Sequence, residues 1–427
     1  MKRSNPTDRR EFLQRSILGT AGAGLAIGAT SNAMVSAETV EKMQATAEDQ
    51  IVNEVDVLVV GGGTAGTIAA IQAGRAGAKT LLLERNNQLG GTTTTAGVAF
   101  PGLFDAWGKQ IIAGIGWELV KASVELDGGK FPDFAKVPQR HWHNQVHVNQ
   151  FLYALLAEEM CADAEVQIAY YEFPQAVTPT ADGWQVDCVG FGTQRRVLCK
   201  QIIDCTGGAE VVGLLNLPRL REEENQPGSM LFQMGAAHNP ASQQLNRLYV
   251  HGADSTNSRT VTAANLTGRK AILQKVRNEK RRLMHLQPET GFRESYRIVG
   301  ETIITVQDYT SGRLFEDAVC NAFYPVDLHT KTGVRPQPLK PGMVPTIPLR
   351  ALIPSGSRNI MVAGRSVSSD RLANSGLRVQ APCMAMGQAA GVAASLAAQG
   401  GTTPLEVPLI EIHEMLREHG AIVPGKA

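Results

Sequence analysis

VDVLVVGGGTAGTIAAIQAGRAGAKTLLLER, residues 55–85, is the stretch whose reading decides the fold. VDVLVV is a β-branched apolar run, the pattern of a strand buried on both faces. Gly61, Gly63 and Gly66 follow at once in the G-x-G-x-x-G spacing, and an Ala-rich segment carrying Ile68 and Ile71 predicts a helix opening at the third glycine. KTLLLE then reads as a second buried strand ending on Glu84. Each residue type has a physical task. Gly61 permits a tight turn, Gly63 lets a pyrophosphate approach the backbone, and Gly66 lets helix pack on strand. The helix N-terminus supplies N–H donors and partial positive charge for the phosphates, with Thr64 and Ala65 in its first turn. Glu84 is placed to accept hydrogen bonds from a ribose, and Arg85 follows it. Strand, glycines, helix, strand and acid in this order predict a dinucleotide-binding unit.

The composition agrees with an enzyme-sized globular chain. In 427 residues, 41 Lys and Arg nearly balance 40 Asp and Glu, so no long-range field argues for nucleic acid as a partner. The six cysteines form no C-x-x-C pair, which is neither a metal pattern nor a disulfide framework. Cys188 and Cys199 fall on neighbouring predicted strands; they read as two small buried residues, with a bridge as the alternative. His141, His143 and His147 have no carboxylate or cysteine to complete a metal set and read as surface or substrate-facing groups.

Residues 1–37 stand apart from the fold. Asp8-Arg9-Arg10-Glu11-Phe12-Leu13 resembles a twin-arginine export signal, followed by a Gly/Ala-rich segment at 17–30 too short and broken for a stable membrane span. Val35-Ser36-Ala37 offers a cleavage site, with Ser31-Asn32-Ala33 as a second choice. The expected destination is the periplasm or the exterior, through the export machinery for folded proteins, which suits a chain that acquires its cofactor before leaving.

NNQLGGTTTTAG at 86–97 is a Gly/Thr loop in which Gly91 and Thr92 let backbone and hydroxyl approach a phosphate. With the fingerprint and the acid, this loop resembles the FAD-dependent oxidoreductases of the broad glutathione-reductase-like, two-domain superfamily. Two further segments extend the resemblance. QIIDCTGG, with Thr206 and Gly207, resembles the strand-to-turn motif where such chains re-enter the cofactor domain. NIMVAGRSVSSD, with Gly364, Arg365 and Asp370, leads through a loop holding Arg378 into a helix near Pro382 whose N-terminus faces the flavin in the family. GFRESYRIVGE from Gly291 and YPVDLHT from Tyr324 are similar to patches in a bacterial group of these proteins with mostly unassigned substrates.

The resemblance implies an α/β fold: a Rossmann-like FAD-binding domain, with a parallel sheet and a small antiparallel meander formed by segments near 166–172, 175–180, 183–190 and 195–203. That domain is discontinuous over 52–100, 146–215 and 350–400. Residues 101–145 and 216–349 form cap and α+β substrate regions, the first covering the flavin, and 401–427 a C-terminal tail. A helix at 148–161 is expected to bury Phe151, Leu152, Leu155 and Leu156, and a basic helix at 264–286 to turn its charges to solvent. FAD should be non-covalent, because the Gly/Thr loop holds no histidine for a flavin bond. The substrate is a small molecule. Arg293 and Arg297, sharing a helix or a sheet face, would clamp an oxyanion, or else pair with Glu294 and Glu301. His329 is the acid/base candidate, or a core histidine; Arg378 joins this catalytic set. The chemistry implied is hydride transfer from, or in reverse to, an organic substrate, with an unidentified electron acceptor. The alternative is a FAD-bearing electron-transfer or binding subunit without small-molecule turnover.

Overall fold

The computed structural model describes residues 51–137, 141–236, 243–334 and 336–425, so the export signal expected at 1–37 lies outside the described residues. Strand β1 (Ile51–Val60) runs into helix α1 (Thr64–Arg75) and returns as β2 (Thr80–Glu84), as the fingerprint predicts. Val57, Leu58, Val59 and Val60 are buried on both faces because β1 is central in its sheet. It pairs parallel with β2 on one side and with Gln194–Asp204 on the other.

Helices α2 (Ile115–Leu126) and α3 (Gln150–Asp163) lead to four strands: β3 (Gln167–Tyr170), β4 (Phe173–Pro179), β5 (Trp184–Val189) and β6 (Gln194–Asp204). The seven-stranded sheet has the order β3-β2-β1-β6-β5-β4, with Ile360–Val362 added on β6. Two departures from the sequence expectation follow. First, β3 leaves the meander and pairs parallel with β2 at the far edge, because α3 carries the chain over as a crossover connection. The meander is therefore β4-β5-β6. Second, the buried face of α3 is Tyr153, Ala154, Ala157, Met160 and Cys161, while Phe151 and Leu155 are 59% and 62% exposed. The neighbouring helix α1 is Ala-rich, and Ala154 and Ala157 of α3 let the two approach, with Tyr153 and Met160 filling the rest of the buried face. Phe151 is left outside, its ring edge-on to His285 at 6.0 Å. All six cysteines are free and buried.

β6 changes partner along its length within the one sheet. Its first half pairs antiparallel with β5, and its last residues, Ile202, Ile203 and Asp204, pair parallel with Ile360, Met361 and Val362. This brings the motif at Cys205 beside the one at Gly364.

Within 216–349, residues 304–349 pack into the main core, and residues 228–286 form a separate α+β unit. Its sheet has β7 (Gly228–Gly235) between β8 (Gln243–Val250) and β9 (Leu283–Leu286), both antiparallel. Helix α4 (Ser258–Glu279) packs Ala264, Gly268 and Ile272 on it and leaves its charges outward. It stops earlier than expected, at Lys280 in the left-handed region (φ 51°), and residues 283–286 become strand.

In the C-terminal segment, the expected loop around 370–378 is instead helix α5 (Arg371–Leu377), capped by Asp370. Helix α6 (Gln380–Gly400) follows and is long and apolar enough to cross a membrane, but 89% of that window is buried in the protein. Its glycines explain why. Gly387 lies against the Ala65 carbonyl, and a Cβ on Gly391 would stand 2.6 Å from the Ala69 oxygen, so α6 lies directly on α1. The tail region carries helix α7 (Leu409–Glu418), with Ile412 and Leu416 buried in the main core. The excursion at 101–145 packs Trp117 among Phe104, Phe131 and Phe134; among the described residues it contributes none to the cleft beside Gly61 and Gly63, which it was expected to cover.

Candidate active site

A deep cleft opens at the C-terminal ends of β1, β2 and β6, enclosing about 1170 Å³ of non-atom space, its open mouth included. One wall is the expected set: Gly61, Gly63, Thr64, Ala65, Glu84, Arg85, Gly91, Thr92, Thr206, Gly207, Gly364 and Arg365 all line it. The opposite wall comes from residues 289–293 together with Arg378, Gln380 and Cys383.

The three fingerprint glycines have distinct reasons. Gly61 takes φ 98°, and a Cβ there would stand 2.6 Å from the Cys205 carbonyl oxygen. Gly66 lies against the Gly61 carbonyl and 2.8 Å, at its Cβ position, from the Cys205 side chain, so it permits helix–strand packing and does not itself line the cleft. Gly63 differs: its backbone is ordinary (φ −73°) and a Cβ would meet no protein atom within 4 Å. Nothing inside the protein requires glycine there. The space beside it opens on the cleft, where the N–H groups of the first turn of α1 collect.

Glu84 is buried. Its Oε2 accepts from Gly62 N at 2.7 Å and its Oε1 from Asn86 N at 2.8 Å. Burial pushes its pKa up, against the opposing backbone N–H groups and Arg85. Each carboxylate oxygen keeps a second lone pair for a ribose hydroxyl. Asp204 ties the second motif, accepting from Thr206 N and Oγ1 on one oxygen and from Val211 N and Val212 N on the other. Arg365 joins the two walls by donating from Nε to the Gly207 carbonyl at 2.7 Å and from Nη1 to the Phe292 carbonyl at 2.6 Å.

Three cleft arginines, Arg293, Arg365 and Arg378, have no ion pair with a carboxylate among the described residues. Arg293 donates to the Pro227 carbonyl (2.5 Å) and Ser229 Oγ (2.9 Å), and Arg378 to the Asp327 carbonyl (3.2 Å), leaving its Nε without a partner. Burial and the neighbouring Arg378 charge hold Arg293 well below the usual arginine range; burial lowers Arg365 to about 10 and lowers Arg378 as well. The end of the cleft where Arg293, Arg365 and Arg378 gather is buried and electropositive, while Glu84, Glu172, Glu210 and Glu289 line the remainder.

Several expected site residues are elsewhere. Arg297 does not converge with Arg293. The segment is extended with a bend at Arg293, and Arg297 turns inward to the Ser369 carbonyl (3.0 Å) and Glu222 (2.7 Å). The residue that joins Arg293 at the cleft is Arg378. Glu294 does enter an Arg–Glu network, but with Arg371, and Glu301 accepts from Gly356 N. Asp370 does not line the cleft, because both its oxygens are engaged as a cap, on Ala373 N (2.8 Å) and Val306 N (2.5 Å). His329 is buried behind Arg293 and Tyr249. Its ring lies 5.8 Å from Tyr249, over which Arg293 sits at 5.3 Å. His329 Nε2 meets Asp327 Oδ2 at 3.0 Å and Nδ1 has no partner. Burial lowers the His329 pKa, with Asp327 opposing. Sequence reasoning missed Asp327, Tyr249, Gln380 and Cys383; only Asp327, two residues before the histidine, carried a local signal.

The model of the FAD dependent oxidoreductase family matches residues 56–280 and 270–416 of the chain, the fingerprint through the last helix. The chain belongs to that family. As a FAD-dependent oxidoreductase it has FAD as its cofactor, and the residues present fit it: the unfilled space at Gly63, the α1 N-terminus, the twice-anchored Glu84 and the unpaired arginines suit ribose, pyrophosphate and anion. Curated relatives match over short stretches. Nicotine dehydrogenase of Pseudomonas putida (strain DSM 28022 / S16) is 36% identical over 106 residues, 25% of this chain and 20% of the relative. Thiamine thiazole synthase of Methanococcus vannielii is 48% identical over 50 residues, 12% and 19% of the two chains. The matches thus span about a fifth of the length of these relatives. Among solved structures, CabE, an aromatic hydroxylase from angucycline biosynthesis, is 14% identical with a TM-score of 0.43, over 86% of this chain and 65% of that one. A geranylgeranyl bacteriochlorophyll reductase-like protein from Thermoplasma acidophilum is 12% identical with a TM-score of 0.40, over 86% and 82%.

Proposed function

We propose that this oxidoreductase is an exported enzyme of the glutathione-reductase-like type that oxidises a small organic anion. The observation that carries this reading is the pair Arg293 and Arg378, two buried cations in the cleft without a carboxylate partner. Like charges brought together out of water destabilise the free protein, and an anion bound between them removes that cost. Bound FAD supplies the two-electron, hydride-accepting chemistry. The arginines hold and orient the substrate, and the buried walls exclude water. The His329–Asp327 pair stands behind Arg293 and Tyr249 and does not line the cleft, so we assign it the released proton only by relay through water past Arg293: Asp327 holds Nε2, which keeps the lone pair on Nδ1, the atom without a partner.

FAD is held without a covalent bond in this reading. No histidine lines the cleft among the described residues, and burial raises Cys205 and Cys383, the latter to about 12, so both stay as thiols. Electrons then pass to an acceptor that is oxygen, a quinone or a periplasmic carrier.

The test is an anaerobic absorbance experiment on purified protein, after acid precipitation has shown that the flavin is released to the supernatant. Small carboxylates, phosphates and sulfonates should include compounds that bleach the flavin, while neutral analogues of the same skeleton leave it oxidised. Bleaching by neutral analogues alone would overturn the anionic-substrate assignment. A flavin reoxidised only by a protein partner, and reduced by no small molecule, would favour the electron-transfer subunit. For export, Arg9→Lys with Arg10→Lys should leave the chain in the cytoplasmic fraction; unchanged secretion would refute the signal.

A further inference from the structure

Helix α4 carries a charge run that the flavin cleft does not use. Residues 258–282 hold eight of the chain's 41 Lys and Arg but only one of its 40 acidic residues, Glu279, so a nearly neutral chain concentrates positive charge here. We propose that the outward face of α4 docks the protein on an anionic phospholipid surface, independent of the substrate reading above.

Geometry sorts the helix into two faces. Ala264, Gly268 and Ile272 are buried against the sheet of β7, β8 and β9. At 3.6 residues per turn, Arg259, Leu266, Lys270, Leu273 and Arg277 fall within about 60° of one another on the opposite side, and all five are exposed. The helix has 22 residues, about 33 Å at 1.5 Å per residue, long enough to lie along a planar surface.

The cations of this face lack partners. On an exposed helix, basic residues gain support from carboxylates three or four positions away. Here Glu279 takes both Lys275 and Arg281, and Arg269 donates to the Pro288 carbonyl. Arg259, Lys270, Arg277, Lys280 and Arg282 have no carboxylate partner among the described residues. Like charges along one face repel one another, and a layer of lipid phosphates relieves that repulsion.

Two leucines decide the kind of anion. Leu266 is 59% and Leu273 49% exposed, two turns apart and flanked by the cations. A nucleic-acid backbone would leave both in water. At a bilayer surface they enter the boundary between headgroups and acyl chains, while the Lys and Arg stems lie alongside and their heads reach phosphate. Thr262, Ala263, Thr267 and Gln274 complete the face, so no carboxylate is pressed against the lipid.

The experiment is co-sedimentation of the full-length holoenzyme with vesicles of mixed phosphatidylglycerol and phosphatidylcholine, beside vesicles of phosphatidylcholine alone. The protein should sediment with the first and not the second, and about 1 M salt, where the screening length falls to about 3 Å, should weaken the binding. Lys270→Gln with Arg277→Gln should weaken it by roughly 30-fold, about fivefold for each charge. Leu266→Ser with Leu273→Ser, which keeps every charge, should weaken it by about tenfold. All four side chains point outward, so flavin absorbance and the urea unfolding curve should not change; a pair that unsettles the fold is replaced by its single substitutions. Residues 1–37 are common to every sample, so the variants report on α4. No sedimentation with the anionic vesicles, equal sedimentation with both kinds, or undiminished binding in the glutamine pair would overturn the proposal. Undiminished binding in the serine pair would overturn it as well, leaving an acidic protein or a nucleic acid as the partner.

Discussion

Replacing Gly63 by alanine separates what the fold needs from what the cofactor needs. Gly63 has φ −73° and ψ −169°, an extended backbone any residue adopts, and its Cβ would find no protein atom within 4 Å. The ligand-free protein should therefore be unchanged or firmer by up to about 1 kcal/mol, since alanine lowers the entropy of the unfolded chain. With FAD the outcome reverses. The new methyl occupies the space into which the pyrophosphate must come, and overpacking of this size costs about 1–3 kcal/mol. That converts to a loss of FAD affinity of roughly 5- to 140-fold. The assay is a fluorescence titration of the apoprotein with FAD, beside a urea unfolding curve of the same apoprotein. Gly66→Ala is the control, because its Cβ falls on the Gly61 carbonyl; it should destabilise the apoprotein itself, by about 3 kcal/mol or more. Unchanged FAD affinity in Gly63→Ala would refute the placement of the pyrophosphate over this residue. A large loss of apoprotein stability would refute the open space beside it.

Arg378→Met should raise the urea midpoint of the ligand-free protein by an amount worth about 1 kcal/mol, since it removes a buried cation that repels Arg293. Its substrate-driven flavin reduction should fall by about 100-fold or more, a cost typical of truncating a buried charged contact. A destabilised variant with normal turnover would reverse the reading. In Asp327→Asn, the acid limb of the flavin-reduction profile should move to lower pH. His329 acts when neutral, its pKa is already lowered by burial, and losing the Asp327 charge disfavours the imidazolium further. A profile unmoved in Asp327→Asn and in His329→Gln would make the pair structural. Gly387→Ala should cost about 1–3 kcal/mol in unfolding and weaken FAD binding together, because the methyl falls on the Ala65 carbonyl and pushes α6 off the first turn of α1. An unfolding curve identical to wild type would show that the seam tolerates the methyl.

Much of the cofactor half was legible because its constraints are local. A tight turn, a close backbone approach and a helix N-terminus each demand particular residues at fixed spacing, so Gly61, Gly63 and Glu84 announce their tasks within one stretch of chain. The same holds for the turn at Thr206-Gly207 and for Gly364. Where local pattern was ambiguous, packing partners chose. Helix α3 has two apolar faces, and packing buried the one with Tyr153, Ala154, Ala157, Met160 and Cys161 over Phe151 and Leu155. The segment at 371–377 formed a helix because Asp370 found its cap on Ala373 N, and that use withdrew Asp370 from the cleft.

By itself the sequence determined the strand–turn–helix cofactor unit, the return of the chain through two further glycine motifs, and the small-residue helix that must pack closely. These rest on backbone geometry, which the identity of a few neighbours settles. Only the tertiary structure decided which arginines meet. Arg293 and Arg297 are four apart in sequence yet diverge, one to the cleft and one to Glu222, while Arg378 arrives from a distant segment. Charge and burial act through space, and their effect is set only when the chain has closed around them.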